Sequence, residues 1–123
     1  MTTLTTSPRC DFAAATNRRD TPRIRARFCA TISANGNEIN GRGTVMDLSI
    51  IGCQIEIERS WPIKDSSLME VRIQVPDLGW SIIIDEAVVQ WIHGTRMGLC
   101  FVNVRVTEAD RLAWVMRREV RKT

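Results

Sequence analysis

The feature of this chain that most restricts its fold is a two-residue rhythm of apolar and polar side chains, repeated in short runs that turn-forming residues separate. From the first run onward, Ile24, Ala26, Phe28, Ala30 and Ile32 alternate with Arg25, Arg27, Cys29 and Thr31. Successive side chains of a strand point to opposite faces, so such a run reads as a strand with one buried face. Asn35-Gly36-Asn37 then turns the chain, because Asn and Gly accept the positive φ that a tight hairpin needs. A second strand is expected over Gly41–Asp47, and a third through Cys53, Ile55 and Ile57, with Gln54, Glu56 and Glu58 outward. A connection containing Trp61 and Pro62 leads to a fourth, in which Met69, Val71, Ile73 and Val75 alternate with Glu70, Arg72 and Gln74. Pro76-Asp77-Leu78-Gly79 is the next turn. The fifth run, Trp80–Ile92, changes phase between Ile82 and Ile84 and the later Ala87, Val89 and Trp91, which predicts a β-bulge near Asp85 and Glu86. His93-Gly94 closes a hairpin, and Met97–Val104 is the sixth strand.

After Val104 the rhythm changes. Thr107 is placed to cap a helix in which Ala109, Leu112, Ala113, Met116 and Val120 form one apolar stripe. Trp114 falls off that stripe and marks a candidate contact surface. Six short strands and one amphipathic helix, without an internal repeat, predict a mainly β fold: a six-stranded antiparallel β-barrel closed or plugged by a C-terminal α-helix. Residues 1–17 are rich in Thr, Ser and Ala, and are expected to form a flexible N-terminal tail before a domain over residues 18–123.

A length of 123 residues fits that one domain. No apolar run approaches the ~18 residues that span a bilayer, so no membrane insertion is expected. Residues 1–17 lack the basic and then apolar segments of a secretory signal, and a cytoplasmic protein is expected. The four cysteines (Cys10, Cys29, Cys53, Cys100) contain no C-x-x-C pair and accompany a single histidine, His93. That pattern argues against a metal site and for buried, reduced thiols.

Catalytic signatures are absent: the sequence holds no G-x-x-x-x-G-K-[ST], no G-x-S-x-G and no H-E-x-x-H. His93 falls in a turn, and Asp85 and Glu86 are strand neighbours that face opposite ways. No enzyme activity, catalytic residue or cofactor is expected.

Charge is informative in its placement. The total is +3, but residues 1–27 carry six arginines against Asp11 and Asp20, residues 28–104 carry five basic and nine acidic residues, and residues 105–123 six basic and three acidic. Positive charge therefore sits at the two ends. Arginine supplies 15 of the 17 basic residues, and its planar fork suits phosphates and guanine edges.

Two segments stand out. One is Arg18-Arg19-Asp20-Thr21-Pro22-Arg23, directly before the first strand; the other is Asp47-Leu48-Ser49-Ile50-Ile51-Gly52, between the second and third. Taken singly, each has a plain structural reading. The R-x-x-x-R spacing of Arg19 and Arg23 recurs at Arg23/Arg27 and Arg117/Arg121, as in any arginine-rich chain, and the first segment reads as a solvated basic stretch. The second reads as a turn in which Asp47 and Ser49 bond backbone amides and Gly52 supplies a positive φ.

Together, in this order on this scaffold, the two segments resemble the PilZ family, bacterial receptor domains for the second messenger cyclic di-GMP. The family's R-x-x-x-R falls on Arg19 and Arg23, and its [D/N]-x-S-x-x-G on Asp47, Ser49 and Gly52. Gly98-Leu99-Cys100-Phe101 looks like the family's late G-x-x-F strand. The resemblance implies a cyclic di-GMP site at Arg18, Arg19, Arg23, Asp47, Ser49 and Gly52. It also implies an intercalated ligand dimer where the residue before the first motif arginine is basic, as Arg18 is.

The chemistry of that ligand suits these residues. Arginine forks fit a guanine O6/N7 edge or a phosphate, at about 1–3 kcal/mol of discrimination for a good bidentate guanine contact. The Asp47 carboxylate accepts from guanine N1–H and N2–H₂ together, which adenine cannot offer. Ser49 can bond phosphate or base, and Gly52 allows close backbone approach. A clamp is expected, in which the arginine arm folds over the ligand. Fixing six backbone residues costs on the order of 6–12 kcal/mol, so no single contact drives closure. The expected protein is a stand-alone adaptor whose changed surface is read by an unidentified downstream protein. Two alternatives remain open: a ligand-independent interaction module of the same fold, and a small barrel binding single-stranded nucleic acid. The second is disfavoured by an aromatic content of 6% and by the acidic middle of the chain.

Overall fold

The computed structural model describes residues 22–34, 39–58 and 67–122. Its elements are β1 (Ile24–Ala34), β2 (Ile39–Leu48), β3 (Gly52–Ile57), β4 (Leu68–Gln74), β5 (Ser81–His93), β6 (Arg96–Asn103) and the helix α1 (Val106–Lys122). The expected strands close a barrel in the order β1-β2-β3-β6-β5-β4, every neighbouring pair antiparallel and β4 pairing back onto β1. Closure removes the free sheet edges of an open sheet. The alternation read from sequence holds: Cys53, Ile55 and Ile57 of β3 and Met69, Val71 and Ile73 of β4 are buried, with polar neighbours between them. The Asn35-Gly36-Asn37 turn, the Trp61–Pro62 connection and the N-terminal tail lie outside the described residues.

The bulge in β5 is where the phase change placed it. Met69 pairs with Ala87 and Val71 with Ile84, three steps on β5 against two on β4, so Asp85 and Glu86 absorb the extra residue while Ile82, Ile84, Ala87 and Val89 all face the core. Beyond the bulge β5 pairs with β6 only from Glu86 onward, and residues 81–84 pair with β4 alone. Helix α1 covers the side this leaves. The Ile83 N–H donates to the Glu108 carboxylate at 2.7 Å, Arg111 donates to the Ser81 carbonyl at 3.3 Å, and Arg105 forks onto Asp85 at 2.8 and 3.1 Å.

Glu108 is only 5% exposed; a buried carboxylate is tolerable there because it has the Ile83 N–H and the Arg111 guanidinium at 3.5 Å as partners. The buried face of α1 is Glu108, Leu112, Val115 and Met116, which corrects the expected stripe: Ala109 and Val120 are exposed. Thr107 is not the cap either. The helix starts at Val106, with the Arg105 carbonyl accepting from the Ala109 N–H at 2.8 Å. Trp114 meets Trp80 edge to face at 6.1 Å, and the guanidiniums of Arg111 and Arg118 lie over Trp80 and Trp114.

The cysteines depart from the expected set of buried thiols. Cys53 is buried and free, and burial, with Asp47 nearby, pushes its thiol well up. Cys29 is free but exposed, and Cys100 is disulfide-bonded.

Candidate functional site

The site is built around the end of β2, where the ladder is irregular on both sides. Against β1, Asp47 pairs with Arg25 and Val45 with Phe28; against β3, Asp47 pairs with Gln54 and Val45 with Ile55. Each interval carries one residue more on one strand than on the other. Such bulges increase twist and re-aim side chains. Leu48 remains in the core, 1% exposed, while Asp47 lies at the surface.

The loop Ser49-Ile50-Ile51 joins β2 to β3. The Ser49 N–H donates to the Gly52 carbonyl at 2.9 Å, and the Ser49 hydroxyl accepts from the Ile51 N–H at 3.2 Å and donates to the Gly52 carbonyl at 3.3 Å. Ser49 is buried, so its hydroxyl first of all holds the turn. The Ile51 carbonyl accepts from the Phe101 N–H at 2.9 Å, tying the turn to β6.

Gly52 is needed for a reason other than the expected positive φ, which among the described glycines only Gly94 has. A Cβ on Gly52 would lie 2.3 Å from the Leu99 carbonyl oxygen. The absent side chain is what lets the turn and β6 approach this closely.

Arg23 sits immediately before β1, with its guanidinium 3.4 Å from the Asp47 carboxylate; the two side chains are 40% and 26% exposed. An ion pair this open to water is worth about 0–1 kcal/mol, so a ligand offering better partners to both groups can displace it at small cost. Of the residues expected at the site, Arg23, Asp47, Ser49 and Gly52 line one cavity of about 220 Å³. Arg18 and Arg19 lie outside the described residues.

Sequence reasoning missed Trp91, which lines the same cavity with Gln54, Gln90 and Gly98. Trp91 pairs with Gly98 across the β5–β6 ladder, at a second irregularity in which Val89 pairs with Leu99. A Cβ on Gly98 would meet the indole Nε1 at 2.2 Å, so the indole fills the place of the missing side chain. Gly98 was noticed as the start of a strand pattern, but its pairing with Trp91 depends on a register that a bulge had already shifted. A planar ring, a guanidinium and a carboxylate around one cavity suit a planar, hydrogen-bonding base carried on a phosphate.

The sequence matches the model of the PilZ domain over residues 17–118. The chain belongs to the PilZ domain family. Solved PilZ structures share its fold. The PilZ domain of CeSA from a cellulose-synthesizing bacterium superposes with a TM-score of 0.64 at 18% identity, covering 77% of this chain and 94% of that one. The PilZ domain of YcgR from Escherichia coli, solved with c-di-GMP, gives 0.70 at 18% identity, covering 85% and 93%. The inhibitor of motility MotI/DgrA from Bacillus subtilis gives 0.69 at 20% identity, covering 85% of this chain and 53% of that one. None of the curated proteins matches.

The PilZ match takes in both segments singled out in the sequence, from Arg18 to Gly52. Among the described residues no group of three or more His, Cys, Asp or Glu side chains is placed to hold a metal, and no helix is long and apolar enough to cross a membrane.

Proposed function

We propose that this PilZ domain is a cyclic di-GMP receptor and adaptor, with no catalytic role, that binds its ligand at Arg18, Arg19, Arg23, Asp47, Ser49 and Gly52. The observation that carries the reading is the half-exposed pair of Arg23 and Asp47 at 3.4 Å, on the cavity that the Ser49–Gly52 turn and Trp91 complete. In the free protein these two groups satisfy one another and stand ready for a ligand. On binding, guanine N1–H and N2–H₂ take the place of Arg23 on the Asp47 carboxylate, and Arg23 turns its fork onto a guanine O6/N7 edge or a phosphate. The turn contributes rigidity, since Ser49 locks the loop that directly follows the β2 end carrying Asp47, and the close Gly52–Leu99 approach fixes that loop against β6.

Arg18 and Arg19 close the site from above, with residues 18–23 folding over the nucleotide. Three arginines against the four negative charges of an intercalated ligand pair favour two ligands per domain. Closure changes the surface around the arm and the barrel mouth, and that surface is what a downstream protein in the cytoplasm reads. The partly exposed carboxylate at the centre of the site supports this reading over a nucleic-acid track, because Asp47 repels a continuous phosphate backbone.

Titration of the protein with cyclic di-GMP by calorimetry, beside GTP and beside the Arg19→Ala variant, tests the proposal. Selective binding that Arg19→Ala loses is the expected result. Absence of heat with cyclic di-GMP, or equal heat with GTP, overturns it.

A further inference from the structure

The solvent side of helix α1 carries a second group of aromatic and charged side chains, apart from the motif cavity. Trp114, Arg117 and Arg121 follow one another at intervals of three and four residues, which puts them on one face of the helix, and all three are exposed. With Arg118 they line an open concavity of about 540 Å³. Trp114 is 43% exposed, yet its indole is held from two sides: Trp80 meets it edge to face at 6.1 Å, and the Arg118 guanidinium lies over its ring at 5.3 Å. Arg118 is itself held by Glu119 at 2.9 Å. Arg117 and Arg121 make no ion pair with any other described residue, and their roots lie about 6 Å apart. Val120 adds an exposed apolar side chain beside them. A solvent-facing indole already fixed in the free protein, next to two uncommitted planar cations, has the composition of an interface centre, where Trp and Arg carry most of the binding energy. Its ordering cost has been met before any partner arrives.

We propose that this face of α1 docks an acidic segment of a partner protein, with two carboxylates on the forks of Arg117 and Arg121 and an apolar side chain of the same segment against Trp114 and Val120. Charge complementarity names the occupant. Among the described residues three guanidiniums and no carboxylate line the concavity, and only Arg118 is matched by an acid of this chain. A guanidinium takes a carboxylate through two parallel hydrogen bonds, and carboxylates one helical turn apart have the spacing of the two arginine roots. An anionic lipid surface fits less well, since it is read by clusters of about four to eight cations, and the Trp114 indole is held by Trp80 and Arg118 rather than left to insert. Trp114, Arg117 and Arg121 do not line the motif cavity. The docking face therefore acts with or without nucleotide, and stands or falls apart from the receptor reading.

Fluorescence anisotropy of a short fluorescein-labelled peptide of glutamates and leucines tests this on the wild type, Trp114→Ala, Arg117→Gln/Arg121→Gln and Arg42→Gln, since Arg42 is an exposed arginine outside the concavity. The wild type and Arg42→Gln are expected to bind the peptide saturably, and more weakly as salt is added. Arg117→Gln/Arg121→Gln is expected to weaken binding about tenfold or more with an unchanged melting temperature, and Trp114→Ala by as much. Absence of wild-type binding overturns the proposal, as does a Kd within about threefold of wild type for the double variant, which changes only exposed side chains. Tighter wild-type binding to phosphatidylglycerol vesicles or to duplex DNA than to the peptide also overturns it, by assigning the face to a lipid or a nucleic acid.

Discussion

Replacing Asp47 by Asn keeps the shape of the side chain and removes its charge, and the structure assigns very different sizes to the two consequences. In the free protein the carboxylate faces Arg23 at 3.4 Å, with both side chains open to water, a pair worth about 0–1 kcal/mol. Melting without ligand should therefore fall by no more than about 5 °C for a domain of this size. In the proposed complex with cyclic di-GMP one carboxylate oxygen becomes an NH₂ that confronts a guanine donor. One charge-assisted hydrogen bond is lost and another weakened, about 3 kcal/mol in all, which is a Kd roughly 100-fold weaker. Thermal melts with and without cyclic di-GMP read both effects in one experiment. At a ligand concentration about 1,000-fold above the wild-type Kd, the ligand stabilises the wild type by about 4.1 kcal/mol and Asp47→Asn by about 1.4 kcal/mol. The reasoning is refuted if Asp47→Asn keeps a Kd within about threefold of wild type. A drop of more than about 10 °C without ligand also refutes it, because Asp47 would then be a structural residue.

Three further outcomes follow from particular contacts. Gly52→Ala puts a methyl 2.3 Å from the Leu99 carbonyl oxygen, and separating β3 from β6 to admit it should cost about 1–3 kcal/mol in urea unfolding; an unchanged midpoint would show that this approach is not needed. Glu108→Ala strips the Ile83 N–H of its only described acceptor and should cost about 1–3 kcal/mol, whereas Glu108→Gln keeps an acceptor and should lose less; equal losses would argue against the hydrogen bond as the cause. The Thr95 hydroxyl and the Arg96 guanidinium hold the Glu56 carboxyl below its ordinary value of 4.5. With the folded value below the unfolded one, its contribution is complete above the unfolded pKa and is lost as pH falls through the folded one. Melting of the wild type should thus decline more steeply under acid than that of Glu56→Gln, and parallel profiles would contradict the assignment.

What could be read from the sequence, and what could not, divides along one physical line. Alternation is a local property, so Ile55 and Ile57, or Val71 and Ile73, announce their buried faces without knowledge of any partner strand. The β5 bulge was legible for the same reason, because it shifts the phase within one strand. Glu108 and Val115 were missed because the need for them is not local. Strand β6 ends opposite Glu86, which leaves the Ile83 N–H without a partner on that side, and an acceptor on a helix some 25 residues later meets it. Trp91 over Gly98 was hidden in the same way, behind a register that two irregularities had displaced. Gly52 was given the wrong structural reason, since its constraint comes from the Leu99 carbonyl and not from its own φ.

The same line explains where the site lies. A closed barrel has no free edge at which backbone or side chains can turn toward a ligand. Its ladder can be interrupted without opening it only at bulges. Asp47 stands between two of them, one against β1 and one against β3, and Trp91 stands at a third. Arg25 of β1 is the cross-strand partner of Asp47 beside the first of these breaks, and Arg23, just before β1, faces its carboxylate at 3.4 Å. The irregularities that make the site hard to read from sequence are therefore the ones that bring its acceptor, its aromatic face and its cations to a single surface.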